Sequence, residues 1–116
     1  MKAGGWMVDW APNQDAHHAA RCGGYETFWA YSHGDGFVKA TFKGSGKGVL
    51  DFGNCYSTGF TKVYLNDTEI GSAPANESSK VINFNYTTGD TLKITEEQIG
   101  IIKINSLHLQ ACGNAN

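Results

Sequence analysis

Aromatic and imidazole side chains are concentrated in the first 36 residues of this 116-residue sequence. Exposed Trp and Tyr rings can stack on the apolar face of a sugar ring, while His and Asp side chains can orient its hydroxyl groups. The competing interpretation of each ring is burial in the core, since large aromatic residues are mostly buried on average. The predicted ligand-binding residues are Trp29, Tyr31, His33 and Asp35, followed by Trp6, Trp10 and Tyr25.

A metal site is a second use of the same residues. His33 and Asp35 lie two positions apart, so an extended chain places both side chains on one face. With Asp15 they are the candidate metal ligands, and carboxylate oxygens favour calcium. No ordered ligand series such as an EF-hand loop is present, and solvated loop residues around Gly34 and Gly36 are the ordinary interpretation. Calcium therefore stays an option, and no cofactor is required.

The motifs of common catalytic sites are absent from the sequence. It contains neither a Gly-x-Ser-x-Gly nucleophile elbow nor a His-Glu-x-x-His pair. Glu96 and Glu97 are adjacent, so their side chains diverge and cannot flank a glycosidic bond. Cys22 lies near His17 and His18, but no third group that would orient a thiolate pair is visible. The sequence therefore predicts a protein that is not an enzyme.

Charge and hydropathy exclude two classes of partner. The net charge is −2 and only 17% of residues are charged, so no basic surface is available for nucleic acid. No apolar run approaches the roughly 20 residues that span a membrane. Three cysteines allow one disulfide and leave one thiol, and three glycosylation sequons begin at Asn66, Asn76 and Asn85. We therefore expect a secreted, extracellular protein.

From residue 37 onwards the sequence alternates between short apolar runs and turn residues, which is typical of β-strands. The predicted strands are 37–42, 49–52, 60–65, 68–72, 80–86, 92–96 and 101–112. Each strand has one apolar face, which must be buried against a second sheet. The sequence thus predicts a single domain over 1–116 that is all-β, with two antiparallel sheets in a β-sandwich of jelly-roll or immunoglobulin-like topology. Residues 1–36 are an aromatic-rich irregular segment, and 37–112 are the strand framework.

Two local irregularities are predicted within this framework. Asn66 and Asp67 separate two strands and tolerate the positive φ of a tight hairpin turn. In the last strand, strict alternation cannot place Ile104 and Leu107 on the same side. A bulge is therefore expected near Asn105 and Ser106.

Several fragments of residues 40–112 together resemble modules found in predicted extracellular proteins of marine animals and algae. They include the runs 50–55, 63–66 and 89–96, followed by the last strand to Cys112. The resemblance implies a galactose-binding-like β-sandwich. In these modules Cys55 and Cys112 occur together, which implies a Cys55–Cys112 disulfide and a free Cys22.

The resulting hypothesis is a secreted, non-catalytic, lectin-like module that binds a glycan or another component of the extracellular matrix. Single sugar sites bind weakly, so binding through a homo-oligomer or a multidomain parent is expected. The alternative is a self-associating structural protein of the matrix, joined through exposed strand edges or an unpaired cysteine. Size-exclusion chromatography with light scattering separates the two hypotheses.

Overall fold

A computed structural model describes residues 10–13, 16–17, 28–55 and 58–111; of residues 16–17, 28–31 and 33 only the backbone is described. These residues contain β-strands and no helix. The strands are β1 (Ala11–Pro12), β2 (Ala16–His17), β3 (Phe28–His33), β4 (Gly36–Thr41), β5 (Gly46–Cys55), β6 (Thr61–Leu65), β7 (Thr68–Ala73), β8 (Lys80–Tyr86), β9 (Thr91–Glu96) and β10 (Ile99–Ala111).

The strands form two antiparallel sheets of five strands each. The first sheet has the order β1-β4-β9-β6-β7, and the second has the order β2-β3-β10-β5-β8. Apolar side chains from both sheets meet in one core cluster, so the sheets are packed face to face. The prediction of an all-β, two-sheet antiparallel sandwich is confirmed. The galactose-binding-like or jelly-roll topology stays a prediction.

Alternation along the strands explains why each sheet has one apolar face. In β8, Ile82, Phe84 and Tyr86 are buried while the residues between them are exposed. Phe84 and Tyr86 pack against Phe42 at the start of the β4–β5 connection, with ring centroids 5.9 and 4.4 Å from the Phe42 ring. Because inner positions fill the core, the intervening outer positions are left to solvent or to a ligand.

Strand β5 is longer than the sequence predicts. The sequence indicates a loop over residues 43–48 and a turn at residues 53–54, but β5 runs from Gly46 to Cys55. The glycines serve close packing here instead of turning the chain. A Cβ on Gly48 would lie 2.3 Å from the Phe84 ring, and one on Gly53 would lie 2.5 Å from the Ser78 carbonyl oxygen. Glycine at these positions lets neighbouring groups approach the strand.

The separation of an irregular segment 1–36 from a framework 37–112 is wrong for β3. Residues 28–33 form a strand that pairs with β10 along its whole length, so they belong to the second sheet. The chain then turns at Gly34 and Asp35, which have φ values of 103° and 56°, into β4 of the first sheet. The framework therefore includes strands from the first third of the chain.

Buried polar groups hold this turn against the neighbouring sheet. The Ser32 hydroxyl donates to the Glu96 carbonyl oxygen (2.8 Å) and accepts from the backbone N–H of Gly36 (3.1 Å). The Glu96 carboxylate, fully buried, accepts from the Thr61 hydroxyl (3.0 Å) and the Gln98 N–H (3.2 Å). One polar cluster thus joins the β3–β4 turn to β6 and β9, and its buried groups are paired as burial requires.

Both predicted irregularities are confirmed. The register between β5 and β10 shifts between Ile104 and Ser106, which is the expected bulge at Asn105. Asn66 has a φ of 49° at the β6–β7 turn. Its side-chain oxygen accepts from the Thr91 N–H (3.0 Å), and its amide nitrogen donates to Asp90 Oδ1 (3.0 Å). The turn is therefore held by hydrogen bonds to the neighbouring β8–β9 connection.

Candidate functional site

Trp10 is fully buried in the core cluster between the sheets. The prediction that its ring forms part of a ligand surface is therefore wrong, because a buried indole offers no face to a sugar. Its burial follows the usual tendency of large aromatic residues to contribute apolar area to a core. Trp6, Asp15 and Tyr25 lie outside the described residues, so their predicted roles stay predictions.

Three of the other predicted ligand residues lie on alternate positions of β3. In the register with β10, Trp29 is opposite Lys103, Tyr31 is opposite Ile101 and His33 is opposite Ile99. Their side chains lie outside the described part of the structure. Asp35 is exposed in the following turn, and its carbonyl oxygen accepts from Asn13 Nδ2 at 3.0 Å. The turn conformation explains the Asp at this position, and its ligand role stays a prediction.

Within residues 10–13, 16–17, 28–55 and 58–111, no group of three or more His, Cys, Asp and Glu side chains could hold a metal ion. Of the predicted ligands, Asp35 is described with its side chain, His33 is described by its backbone alone, and Asp15 lies outside the described residues. The prediction of a calcium site at His33, Asp35 and Asp15 is therefore left open.

An open cleft lies on the outer face of the second sheet, where β5, β8 and β10 run side by side. Its volume is about 520 Å³, within the range of ligand pockets. The described lining consists of Lys47, Gly48 and Val49 from β5, Asn83, Phe84 and Asn85 from β8, and His108, Leu109 and Gln110 from β10. Three adjacent strands therefore contribute equally to this surface.

The register arranges the exposed lining residues in two rows across the sheet. Lys47 lies between Gln110 and Asn85, and Val49 lies between His108 and Asn83. Directly opposed residues of antiparallel strands lie on the same face, about 4.5–5.5 Å apart. The result is a patch of amide, imidazole and ammonium groups with an apolar side chain at its centre.

The polar groups of the cleft are available to a ligand. Asn83, Asn85, His108 and Gln110 are exposed, and their side chains make no hydrogen bond within the described part of the chain. Each amide offers two N–H donors and a carbonyl acceptor, and the imidazole can both donate and accept. Such a set complements the hydroxyl groups of a saccharide, which also donate and accept.

Carboxylates are absent from the described lining of this cleft. In the row beyond it, the Asp51 carboxylate accepts hydrogen bonds from the Ser79 hydroxyl (2.7 Å) and from Asn105 Nδ2 (3.0 Å), so it serves the fold. Hydrolysis of a glycosidic bond ordinarily needs two carboxyl groups placed about the bond. The described lining supplies binding groups and no such pair.

The disulfide implied between Cys55 and Cys112 is incompatible with the strand register. Cys112 lies outside the described residues, but its neighbour Ala111 is opposite Gly46, nine residues along β5 from Cys55. A strand rises about 3.3 Å per residue, which separates these positions by about 30 Å. A disulfide needs Cα atoms within about 7 Å. The predicted pairing is therefore wrong for a bridge within one chain.

Sequence reasoning misses the cleft because its residues are distributed over three separate segments. The alternation of Asn83 and Asn85 with buried neighbours is visible in the sequence and indicates a polar outer face on β8. Lys47 falls in a predicted loop, and His108 and Gln110 belong to no motif. Only the pairing of β5 with both β8 and β10 brings these residues together.

No protein-family model matches this chain, and no curated protein matches it. In the described residues there is no helix with the length and apolar character needed to cross a membrane. The class of protein is defined by the fold alone, which is all-β with two packed antiparallel sheets. The outer faces of those sheets are the surfaces on which a function can be placed.

Proposed function

We propose that this protein is a non-catalytic carbohydrate-binding module, and that the cleft formed by β5, β8 and β10 holds the saccharide. The observation that supports the proposal most strongly is the convergence of Asn83, Asn85, His108 and Gln110, which are exposed and unbonded within the described chain. Val49, which is 36% exposed at the centre of the patch, supplies an apolar contact for the C–H groups of a sugar ring. The ring-stacking site predicted at β3 is a separate expectation on the same sheet.

Glycan-array screening followed by titration calorimetry tests the proposal. The protein should bind one or more neutral saccharides, with weak affinity for a single site. Gln110→Ala and His108→Ala should each weaken binding about two- to tenfold, since a hydrogen bond contributes about 0.5–1.5 kcal/mol. Both side chains are exposed, so the fold should be unchanged.

Gln98→Ala is the matched control, because Gln98 is exposed in the bend just before β10, far along that strand from the cleft. Its affinity should equal that of the unmodified protein. The absence of binding to every neutral glycan, or equal losses in the control and the cleft variants, would contradict the proposal.

Binding in the cleft should not require calcium, because the described lining has no carboxylate ligand for a hard cation. Titrations in the presence of calcium and of a chelator should therefore give equal affinities. If a chelator abolishes binding, the saccharide site depends on calcium, and the predicted ligands Asp35 and Asp15 would then be the better candidates.

We also propose that the protein is secreted, which would expose its three sequons to glycosylation. The surroundings of the three asparagines differ. Asn76 is exposed in a turn, with a φ of 64°, and is the expected site of glycosylation. The Asn66 amide nitrogen is already bonded to Asp90, and a glycan on Asn85 would fill the cleft. Glycopeptide mapping of the secreted protein should find Asn76 modified and Asn85 unmodified.

We further propose that Cys55 pairs with Cys22. Cys55 is half-buried at the end of β5, and the register places Ala111, the neighbour of Cys112, at the other end of that strand. The remaining cysteine of the chain is Cys22. Forming the bond removes two protons and two electrons from the thiols, which an extracellular oxidant such as molecular oxygen or a disulfide oxidoreductase would accept. Peptide mapping without reduction should recover Cys22 linked to Cys55, and a Cys55–Cys112 peptide from a monomer would contradict the pairing.

Self-association is a second candidate function, favoured by the edge of the second sheet. β8 pairs with β5 on one side and is the last described strand of that sheet, and Val81 on it is 57% exposed. An unpaired strand edge can add a strand from a second copy. Light scattering should then show a dimer that Val81→Lys converts to a monomer, whereas a strict monomer would remove this candidate.

A further inference from the structure

Lysine residues gather on the outer face of the first sheet, on the opposite side of the molecule from the cleft. The register places Lys39 of β4 opposite Lys93 of β9, and Lys93 opposite Tyr64 of β6. In the adjacent row, Thr95 lies between Phe37 and Lys62. Three lysines and two aromatic rings therefore share one sheet face across three strands.

The lysine side chains on this face lie close to one another. Like charges directly opposite each other across two strands destabilise a sheet. The ammonium groups of Lys93 and Lys39 lie 4.8 and 5.9 Å from the centroid of the Phe37 ring, which partly offsets their repulsion. Within the described residues, Lys39, Lys62 and Lys93 form no ion pair. An anionic group bound between them would remove the repulsion.

A shallow recess of about 290 Å³ adjoins the lysines. Tyr64, Thr91, Lys93 and Thr95 line it, and the Thr95 hydroxyl oxygen is buried without a hydrogen-bond partner among the described residues. A buried hydroxyl without a partner normally indicates a group or water that the site accommodates. Lys93, Tyr64 and two threonines therefore lie side by side at this recess, and the Thr95 hydroxyl oxygen itself is enclosed.

We propose that this lysine face, defined by Phe37, Lys39, Lys62, Tyr64, Lys93 and Thr95, binds the sulfate or carboxylate groups of an acidic polysaccharide. The ammonium groups would pair with the anionic groups, and the half-buried Phe37 and Tyr64 rings would contact the sugar between them. Nucleic acid fits less well, because its closely spaced phosphates require a long basic strip. Here Asp67 and Glu97 border the recess, and Glu69 lies opposite Tyr64.

The test measures binding of dextran sulfate, with uncharged dextran as the reference and polygalacturonate as the carboxylate probe. Dextran sulfate, polygalacturonate or both should bind while dextran does not, and binding should weaken as salt rises. The variant with Lys39→Gln and Lys93→Gln should lose affinity on the order of tenfold or more. Its melting temperature should stay equal or rise, because a repulsion is removed.

Lys43→Gln and Lys80→Gln are the control variants, since both residues are exposed and lie off this face. Their affinity for the acidic polymer should change less than twofold. Equal losses in control and lysine-face variants, equal binding of dextran and dextran sulfate, or equally tight binding of a single-stranded oligonucleotide with the same variant sensitivity would overturn the proposal. His108→Ala should leave acidic-polymer binding unchanged, so failure of this proposal and failure of the neutral-sugar cleft are distinguishable.

Discussion

The outer faces of the two sheets cover the same core but carry different chemistry. On the second sheet, the amides of Asn83 and Asn85 and the imidazole of His108 surround a cleft whose described lining has no carboxylates. On the first sheet, Lys39 and Lys93 lie opposite each other and share the ring of Phe37. The inner positions of both sheets are alike in being buried and mostly apolar.

The difference between the faces shows where this chain has freedom to specialise. Inner positions of a strand are constrained by packing, while alternate outer positions can change without loss of the core. One framework can therefore present a neutral, hydrogen-bonding surface on one side and a cationic surface on the other. Three sets of variants test this comparison: in the shared core, in the strand beneath the cleft and in the turn beside the lysines. Each measures how much the stability of the fold depends on that region.

The largest effect is expected where both faces depend on the core. Phe52 is fully buried on β5, and Phe52→Ala should lower the free energy of unfolding by about 3–5 kcal/mol through loss of packing. Val49, on the outer face of the same strand, is 36% exposed, and Val49→Ala should change stability by about 1 kcal/mol or less. Urea denaturation measures both values, and similar costs would refute the assignment of inner and outer faces on β5.

A smaller effect is expected from the glycine beneath the cleft. A Cβ on Gly48 would lie 2.3 Å from the Phe84 ring, so Gly48→Ala should displace that ring and cost about 1–3 kcal/mol. The matched control is Gly44→Ala, because a Cβ on Gly44 meets no described atom within 4 Å. Thermal denaturation should show a lowered melting temperature for Gly48→Ala alone. Equal stability of the two variants would mean that Phe84 does not pack over β5.

The turn at the border of the lysine face should be less sensitive still. Asn66→Ala removes the bonds to Asp90 and to the Thr91 N–H and places alanine at positive φ, which should cost about 1–2 kcal/mol. Asn66→Gly restores the backbone freedom but not the bonds, so its cost should be smaller. Chemical denaturation of both variants checks the order, and a more stable alanine variant would contradict the turn geometry.

The smallest effect is a dependence on pH at the same turn. The hydrogen bond from Asn66, followed by that from the Thr87 N–H, lowers the pKa of Asp90 below its ordinary value. The ionised carboxylate therefore favours the folded state, and its contribution is present above the ordinary pKa of aspartate and lost as pH falls through the lowered pKa.

Melting curves of the protein and of Asp90→Asn should therefore differ near neutral pH and converge in strong acid. Asp67→Asn is the control at the same turn, because Asp67 is exposed on the neighbouring position. A difference in melting temperature that grows as the pH falls would mean that the folded state favours the protonated carboxyl group instead.

Local sequence patterns are enough to predict most of the framework. Alternation in residues 80–86 and 92–96 predicts β8 and β9, and the positions of Ile104 and Leu107 predict the bulge at Asn105. Glycine is misleading in β5, because turns and close packing both favour it and only the packed partner distinguishes them. The strand Phe28–His33 escapes prediction because its residues lack the apolar–polar alternation that indicates an exposed strand.

The candidate site is much harder to predict than the fold. The concentration of aromatic residues points to the first third of the chain as the binding surface, but Trp10 in that segment is buried. The cleft residues Lys47, Asn83 and His108 are ordinary surface residues in their own segments. Strand pairing across β5, β8 and β10 gives them their common location, and pairing between distant strands is not encoded in any local pattern.

Nuclear magnetic resonance titration of the isotope-labelled protein with neutral monosaccharides tests the central claim most directly, since it reports the location of binding as well as its strength. The cleft should give the largest changes in backbone amide shifts, at residues 47–49, 83–85 and 108–110. Shifts confined to residues 28–35, or no shifts at millimolar sugar, would contradict a saccharide site on this face of the second sheet.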